Sequence, residues 1–262
     1  MADNAWWGEF SFSLKQQRCW RLGERSIVLQ RFENEWNSWN LESDIENDET
    51  MFFGELAENC CFEQAKFGRY LQQNTSEKVQ VLPLLADRSV VARPDTPLTL
   101  LAGEKARLYV STPVWFSAKL LPKGEKLLDL PFWRPSDSWF GPSTRVGQIC
   151  YAKYTAARIQ LANIDKRAHR AITPITVINN HSESLTIERI NVPVTLLHLY
   201  ADEENQLWTT GISVHRGSHV DNVELHLDKH APIEAVSSVL VSSPRVASDK
   251  SILIRSISSL FA

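Results

Sequence analysis

The stretch Pro131–Tyr151, PFWRPSDSWFGPSTRVGQICY, separates two long regions of β-rich sequence. It holds two tryptophans, two phenylalanines, three prolines and two glycines. Because proline fixes φ and removes a backbone donor, and glycine adopts conformations closed to other residues, this stretch is a shaped connector. It is interpreted either as a hinge between two β-sheet halves or as the wall of a binding site.

The sequence on both sides of the connector predicts short strands. From Lys78 onward, β-branched segments are interrupted every few residues by turn signals such as Arg93-Pro94-Asp95 and Ala102-Gly103-Glu104. Such spacing is typical of a sandwich or barrel and not of βαβ units. Nearer the N-terminus, Cys19–Leu22 and Ser26–Phe32 are predicted to form a hairpin around Gly23.

Two similar segments of the sequence support a division into two halves. The segment TPLTLL at 96–101 and the segment TPITVI at 173–178 each predict a strand that leads through a polar turn into a long strand, which carries Pro113 or Pro193 partway along. A proline inside a long strand marks an edge or a switch between sheets. We therefore predict a mainly β fold of two immunoglobulin-like β-sandwich halves, 1–125 and 126–262. The alternative is a single large sandwich.

One helix is predicted, within the N-terminal half from Thr50 to Gln73. Its apolar residues fall at spacings near three and four, and glutamate and glutamine occupy much of the remainder. Gly54 and Gly68 weaken the pattern, because glycine disfavours helix interiors.

The composition is that of a soluble globular protein. The 262 residues carry a net charge of −3, which argues against a nucleic-acid binder that works by neutralising phosphates. Nine tryptophans are present, and five of them lie in the first forty residues, where core packing is the favoured interpretation and a partner or sugar-stacking face the alternative.

The cysteines and the termini point to a cytoplasmic protein. Cys19, Cys60, Cys61 and Cys150 show no CxxC spacing, so neither a disulfide framework nor a zinc knuckle is expected. The N-terminus lacks a basic and an apolar signal region, and no apolar run is long enough for a membrane helix. We expect no direct membrane insertion.

The connector also carries the strongest candidates for a binding site. These are its charged residues and tryptophans: Trp133, Arg134, Asp137, Trp139 and Arg145. An arginine stacked on Trp133 or Trp139 would form a cation–π contact, and such a cluster suits an anion or a sugar. The structural alternative, an Arg–Asp clamp that shapes the connector, is preferred. Asp87-Arg88 is predicted to form loop ion pairs.

A second candidate site consists of four histidines near the C-terminus. His215 and His219 are four residues apart, and so are His226 and His230. Histidine pairs are ligands for divalent zinc, iron or nickel, but no HxH or HExxH motif supports them. Solvated histidines without a cofactor are the preferred interpretation.

No motif for catalysis is present. The sequence has no GxSxG elbow and no phosphate-binding glycine loop, and Cys150 lies in an apolar run typical of a buried, inert thiol. We therefore expect a non-enzymatic protein.

Three segments, WRPSDSWFGPSTRVGQICYA, LLADRSVVARPDTPLTL and RAITPITVINN, resemble a family of prokaryotic proteins of unknown function. The resemblance covers nearly the whole chain and brings no catalytic residue with it. It implies a soluble partner of a membrane protein, such as a small mechanosensitive channel.

Two hypotheses of function remain. The first is a cytosolic β-sandwich interaction or scaffold protein, which forms homo-oligomers through its strand edges. The second is a β protein that binds a carbohydrate or an anion, or is hydrolytic, through the aromatic, arginine and aspartate residues of the connector. With no nucleophile or base inside the connector, a rigid aromatic joint is the preferred interpretation.

Overall fold

The fold was analysed in a computed structural model. The structure describes residues 5–42, 51–56, 62, 64–143, 145–152, 156–217, 222–247, 252–256, 258 and 260–261. Among these residues, no helix is both long and apolar enough to cross a membrane. The described helices are 3₁₀ turns of three residues, Leu161–Asn163 and Val194–Leu196.

Strands account for most of the described chain, which confirms the prediction of a mainly β fold. The first eleven are β1 (Gly8–Ser11), β2 (Gln17–Leu22), β3 (Arg25–Arg31), β4 (Glu35–Glu42), β5 (Met51–Leu56), β6 (Lys66–Leu71), β7 (Lys78–Leu85), β8 (Val90–Pro94), β9 (Leu98–Leu100), β10 (Lys105–Leu120) and β11 (Glu125–Pro131). The others are β12 (Ser136–Phe140), β13 (Gln148–Ala152), β14 (Ala156–Arg158), β15 (Arg170–Asn179), β16 (Leu185–Ile187), β17 (Ile190–Val192), β18 (Leu199–Ala201), β19 (Leu207–Thr209), β20 (Ile212–Arg216), β21 (Asn222–Leu227), β22 (Val239–Ser242) and β23 (Ile252–Ser256).

The chain divides into two compact units, each assembled from separate segments. Unit 1 comprises Met1–Leu84, Val114–Trp133 and Arg167–His169, and unit 2 comprises Leu85–Pro113, Arg134–Lys166 and Arg170–Ala262. The connector is thus shared, with Pro131–Trp133 in unit 1 and Arg134–Tyr151 in unit 2. The division into halves at residue 125 stays a prediction.

Unit 1 contains an antiparallel sheet in the order β5-β2-β3-β4-β6. Its centre is the predicted hairpin, which is confirmed: β2 pairs with β3 from Gln17↔Gln30 to Leu22↔Arg25. The turn between them places Gly23 at φ +60°, a left-handed conformation that glycine adopts without a Cβ penalty.

The predicted helix over Thr50–Gln73 is wrong. Met51–Leu56 is strand β5, paired with β2, and Lys66–Leu71 is strand β6, paired with β4. The apolar spacing that favoured a helix comes from two separate strands at the edges of the sheet. Gly68 lies opposite Ser38, where a Cβ would come within 2.7 Å of the serine Oγ, so close pairing explains this glycine.

Aromatic side chains fill the core of unit 1. The largest fully buried ones are Trp6, Trp20, Trp36, Phe12, Phe116 and Phe132. The indole N–H of Trp20 donates to the carbonyl of Trp6 over 2.9 Å, and that of Trp6 donates to the carbonyl of Ala168 over 3.0 Å. Core packing therefore accounts for these N-terminal tryptophans, as expected, and the indole N–H groups of Trp6 and Trp20 are satisfied, while the buried indole nitrogen of Trp36 has no hydrogen-bond partner among the described residues.

Unit 2 is built on the long pairing of β10 with β15, from Lys105↔Ile178 to Pro113↔Arg170. In the two similar segments, β15, which contains TPITVI, thus pairs with β10, which follows TPLTLL. Strand β9, which contains part of TPLTLL, pairs with β16. Beyond Pro113, β10 changes partner and pairs with β11, starting at Trp115↔Pro131. Pro113 therefore marks the predicted switch, because proline cannot donate to a continuous ladder. The prediction of a second long strand is wrong: its segment forms the short strands β16 and β17, and Pro193 precedes the 3₁₀ turn Val194–Leu196.

Candidate functional site

The part of the connector in unit 2 folds into an antiparallel hairpin, β12–β13, paired from Ser136↔Ala152 to Phe140↔Gln148. Side chains alternate between the two faces of a strand pair. One face therefore carries Asp137, Trp139, Ile149 and Tyr151, and the other carries Ser138, Phe140, Gln148 and Cys150. Within the described residues, β12 pairs only with β13, while β13 also pairs with β8.

The turn of this hairpin depends on two glycines. Gly141 has φ +148°, and a Cβ there would collide with the backbone of Val146 and Gly147. A Cβ on Gly147 would lie 2.7 Å from the carbonyl oxygen of Phe140 and 2.8 Å from the ring of Trp139. The glycines of the connector therefore allow close approach of backbone and indole, which positions Trp139.

Trp139 lies on the surface of the hairpin with 41% of its area exposed. Its indole N–H donates to the carbonyl of Ser143 over 3.1 Å, which fixes the ring against the turn. Its cross-strand partner Ile149 is 57% exposed, and Val146 in the turn is also exposed. These three apolar side chains form what we call the hairpin surface.

An ion-pair network borders the hairpin surface. The guanidinium of Arg134 donates to both carboxylate oxygens of Asp137, over 2.9 and 3.0 Å. Arg88 donates to the same carboxylate over 3.0 Å, so this arginine pairs with a residue of strand β12 and not within the loop where an ion pair was predicted. The hydrogen bonding that Arg134 donates to Asp137 is the main reason why the pKa of Arg134 is raised.

Tyr151 lies beneath this network. The guanidinium carbons of Arg134 and Arg88 are 5.2 and 5.5 Å from the centre of its buried ring. Its hydroxyl donates to Asp87 over 2.9 Å. Burial, followed by the bond to Asp87, raises the pKa of Tyr151. The phenol therefore stays protonated at neutral pH and serves as a platform for two cations.

The structure gathers three of the five predicted site residues, Arg134, Asp137 and Trp139. Trp133 is assigned to unit 1, and the exposed Arg145 lies in the turn, where its backbone N–H donates to the Ser143 hydroxyl over 3.3 Å.

The ring that carries the arginines is Tyr151, which sequence reasoning missed along with the role of Arg88. The alternation of side chains along the two strands, which places Tyr151 opposite Asp137, was the sequence signal that could have indicated this contact.

The opposite face of the hairpin is apolar and buried around Cys150. Its thiol packs with Val91 and Phe140, and donates to the carbonyl of Ser138 over 3.5 Å. Burial raises the pKa of the Cys150 thiol to about 11. A thiol of this kind is protonated at neutral pH and unreactive. Cys60 and Cys61 lie outside the described residues.

The predicted histidine cluster is only partly described. The rings of His215 and His226 approach to 4.5 Å between centroids, and His226 lies 3.2 Å from the carboxylate of Glu224. His230 is exposed, and His219 lies outside the described residues. Within the part of the chain that the structure describes, no three histidine, cysteine or carboxylate side chains are grouped to hold a metal ion.

A family model with the description "Protein of unknown function (DUF432)" matches residues 6–261. The chain belongs to this family. The match confirms the resemblance to an uncharacterised family that the connector and its flanking segments indicated. Searches of curated proteins and of solved structures found no match to this chain.

Proposed function

We propose that this protein is a non-enzymatic, cytosolic interaction protein that binds an extended segment of a protein partner along the outer edge of β12. The observation that carries the proposal is the exposed Trp139 on an edge strand, between apolar neighbours and a pair of arginines.

An edge strand offers backbone donors and acceptors to a further strand. Among the described residues β12 has a partner on one side only, so its other side can accept a peptide by β-strand addition. In that mode the backbone supplies affinity, and pockets for alternate side chains supply specificity. The hairpin surface supplies apolar contacts for such side chains.

The composition of the surface fits a protein partner. Tryptophan and arginine are enriched among the residues that dominate binding energy, and an ordered side chain loses little entropy on binding. Trp139 is held by its bond to Ser143, and Arg134 by its two bonds to Asp137. The surface is therefore largely preorganised.

The charge balance of the network disfavours the anion-binding hypothesis. Asp137 accepts from Arg88 and Arg134, and Asp87 accepts from Tyr151, so two carboxylates lie beside two guanidinium groups. An anion would have to displace a carboxylate that accepts charge-assisted hydrogen bonds from both guanidinium groups. A sugar stacked on Trp139 is the competing ligand, and the experiment must distinguish sugar binding from binding of a protein partner.

The family resemblance supplies a candidate for the partner. A small mechanosensitive channel would contribute the extended segment from its cytosolic side, and the protein would join it without entering the membrane. A second copy of this chain is the alternative source of a strand, through the same edge.

The test is a pull-down from native cells in mild detergent with the wild-type chain, with Trp139→Ala and with Phe67→Ala as matched control. Phe67 is 52% exposed on β6, an edge strand of unit 1. We expect Trp139→Ala to lose a membrane-protein partner at least tenfold and Phe67→Ala to retain it. The recovered partner must then bind the purified wild-type and Phe67→Ala chains more tightly than the purified Trp139→Ala chain.

A photo-crosslinking side chain at the exposed Ser136 tests the position of the contact, since it should react with the partner along β12. Partner binding that survives Trp139→Ala would overturn the proposal. So would a chain that binds only sugars through Trp139, in glycan titrations with the same variants. Thermal unfolding of each variant separates lost binding from lost folding.

A further inference from the structure

A cavity of about 320 Å³ lies in unit 2 on the face of the β12–β13 hairpin opposite Trp139. The residues that line it come from the segment before β8, from the hairpin and its turn, from β17 and the 3₁₀ turn after it, from β21 and from the chain beyond β23: Ser89, Phe140, Gly147, Gln148, Asn191, Pro193, Thr195, Leu196, Leu225 and Leu260. The proposed partner site does not include this cavity.

The lining separates into an apolar floor and polar walls. Phe140, Leu225 and Leu260 are buried and supply the floor. Hydroxyl and carboxamide groups supply the walls, and no lining residue carries a formal charge. The guanidinium of Arg189 lies 5.5 Å from the centre of the Phe140 ring but is not part of the lining, so a charged ligand would lose its hydration without a counter-charge in the lining itself. The cavity is therefore suited to a neutral ligand.

Two carboxamides give the walls both donors and acceptors. Asn191 is buried on β17, where its backbone N–H donates to the carbonyl of Leu260 over 2.9 Å. Gln148 is exposed at the rim, and its amide nitrogen donates to the Ser89 hydroxyl over 3.3 Å. A carboxamide offers two N–H donors and an acceptor oxygen. Such groups can both donate to and accept from a neutral ligand.

We infer that this cavity binds a small neutral ring compound that has an apolar face and several hydrogen-bonding groups on its edge. Its volume is at the lower end of the range of small-molecule sites, which begins near 300 Å³. Two sources share this chemistry: neutral monosaccharides and free nucleobases. The apolar floor contacts the ring, and the walls contact its substituents.

The experiment measures binding to the full chain by saturation-transfer NMR and calorimetry. One panel holds neutral monosaccharides and a second holds free nucleobases, and each is paired with phosphorylated counterparts. We expect saturable binding from one neutral panel, and binding at least tenfold weaker for the phosphorylated compounds.

Gln148→Leu and Thr195→Val remove polar groups from the walls, while Gln160→Leu removes an exposed glutamine outside the cavity. We expect the first two to weaken binding about tenfold, equivalent to about 1.4 kcal/mol, and Gln160→Leu to leave it unchanged. Since Gln148 is exposed, Gln148→Leu should unfold at the wild-type temperature.

Failure of both neutral panels would overturn the inference, as would equal binding of charged compounds or unchanged binding by Gln148→Leu. Leu196→Trp, which fills the cavity, provides a second check, since it must abolish binding of any compound seated there. Capture of a protein partner through Trp139 is measured in a separate experiment. The proposed partner site and the proposed cavity ligand can therefore fail independently.

Discussion

Arg31 gives the sharpest test of how unit 1 is held together. This arginine is buried at the end of β3, and its guanidinium donates to the carbonyl of Phe12 over 2.9 Å. It also donates to the hydroxyl of Thr75 over 3.1 Å and to the carbonyl of Thr75 over 2.9 Å. One side chain thus joins three segments that are distant in sequence. Its ion pair with Glu77, at 3.5 Å, is a separate contact.

The expected cost of Arg31→Met follows from the acceptors that it leaves behind. Phe12 and Thr75 are buried, and a buried acceptor without its donor costs about 1–3 kcal/mol. Two such carbonyls give a loss of about 2–6 kcal/mol in the free energy of unfolding. Glu77→Gln should cost at most about 1 kcal/mol, because the Glu77 side chain is 79% exposed and surface ion pairs contribute little.

The assay is urea unfolding of wild type, Arg31→Met and Glu77→Gln, followed by tryptophan fluorescence. The buried Trp20 and Trp36 report on this unit. A loss below about 1 kcal/mol for Arg31→Met, or an equal loss for Glu77→Gln, would refute the reasoning, since it would mean that the carbonyl contacts are not what Arg31 contributes.

Three further predictions concern unit 2. Gly147→Ala should lower the free energy of unfolding by about 1–3 kcal/mol, because its Cβ would crowd the carbonyl oxygen of Phe140 and the ring of Trp139. Urea unfolding measures this loss, and an unchanged midpoint would contradict the geometry.

Burial, and then the charge of His226, lowers the pKa of His215 below its ordinary 6.5, while Glu224 opposes the shift. The unfolded state therefore binds more protons, so stability should fall as the pH drops below about 6.5, and His215→Phe should flatten this dependence of the urea midpoint. Cys150 should resist alkylation in the native state and react on unfolding, as read by mass spectrometry of its peptide.

Local signals in the sequence predicted local structure well. The apolar runs around Gly23 indicated the β2–β3 hairpin, and Pro113 indicated the change of partner in β10. The helix prediction failed because two edge strands, each too short to show its own period, together produced helical spacing. Pairing with β2 and β4 decided their conformation, and such tertiary pairing overrides weak helical propensity.

The candidate site could be predicted only where its residues are neighbours in sequence. Arg134, Asp137 and Trp139 lie within six residues; the last two are in β12, and Arg134 lies just before it. Arg88 reaches the same carboxylate from 49 residues away, and the lining of the cavity extends from Ser89 to Leu260. Contacts between residues so far apart in sequence depend on the order of the strands in the sheet. The periodicity of a single sequence does not reveal that order.

The connector does more than join two β regions. Trp139 and Phe140 are consecutive residues of β12, and they serve opposite faces: the first forms the hairpin surface and the second lines the cavity. Cross-strand pairing fixes Ile149 and Gln148 in the same way. A ligand in the cavity that shifts the backbone of this hairpin would therefore change the affinity of a partner at β12. By linkage, the partner would change the affinity for the ligand by the same factor, so each proposed site is a probe of the other.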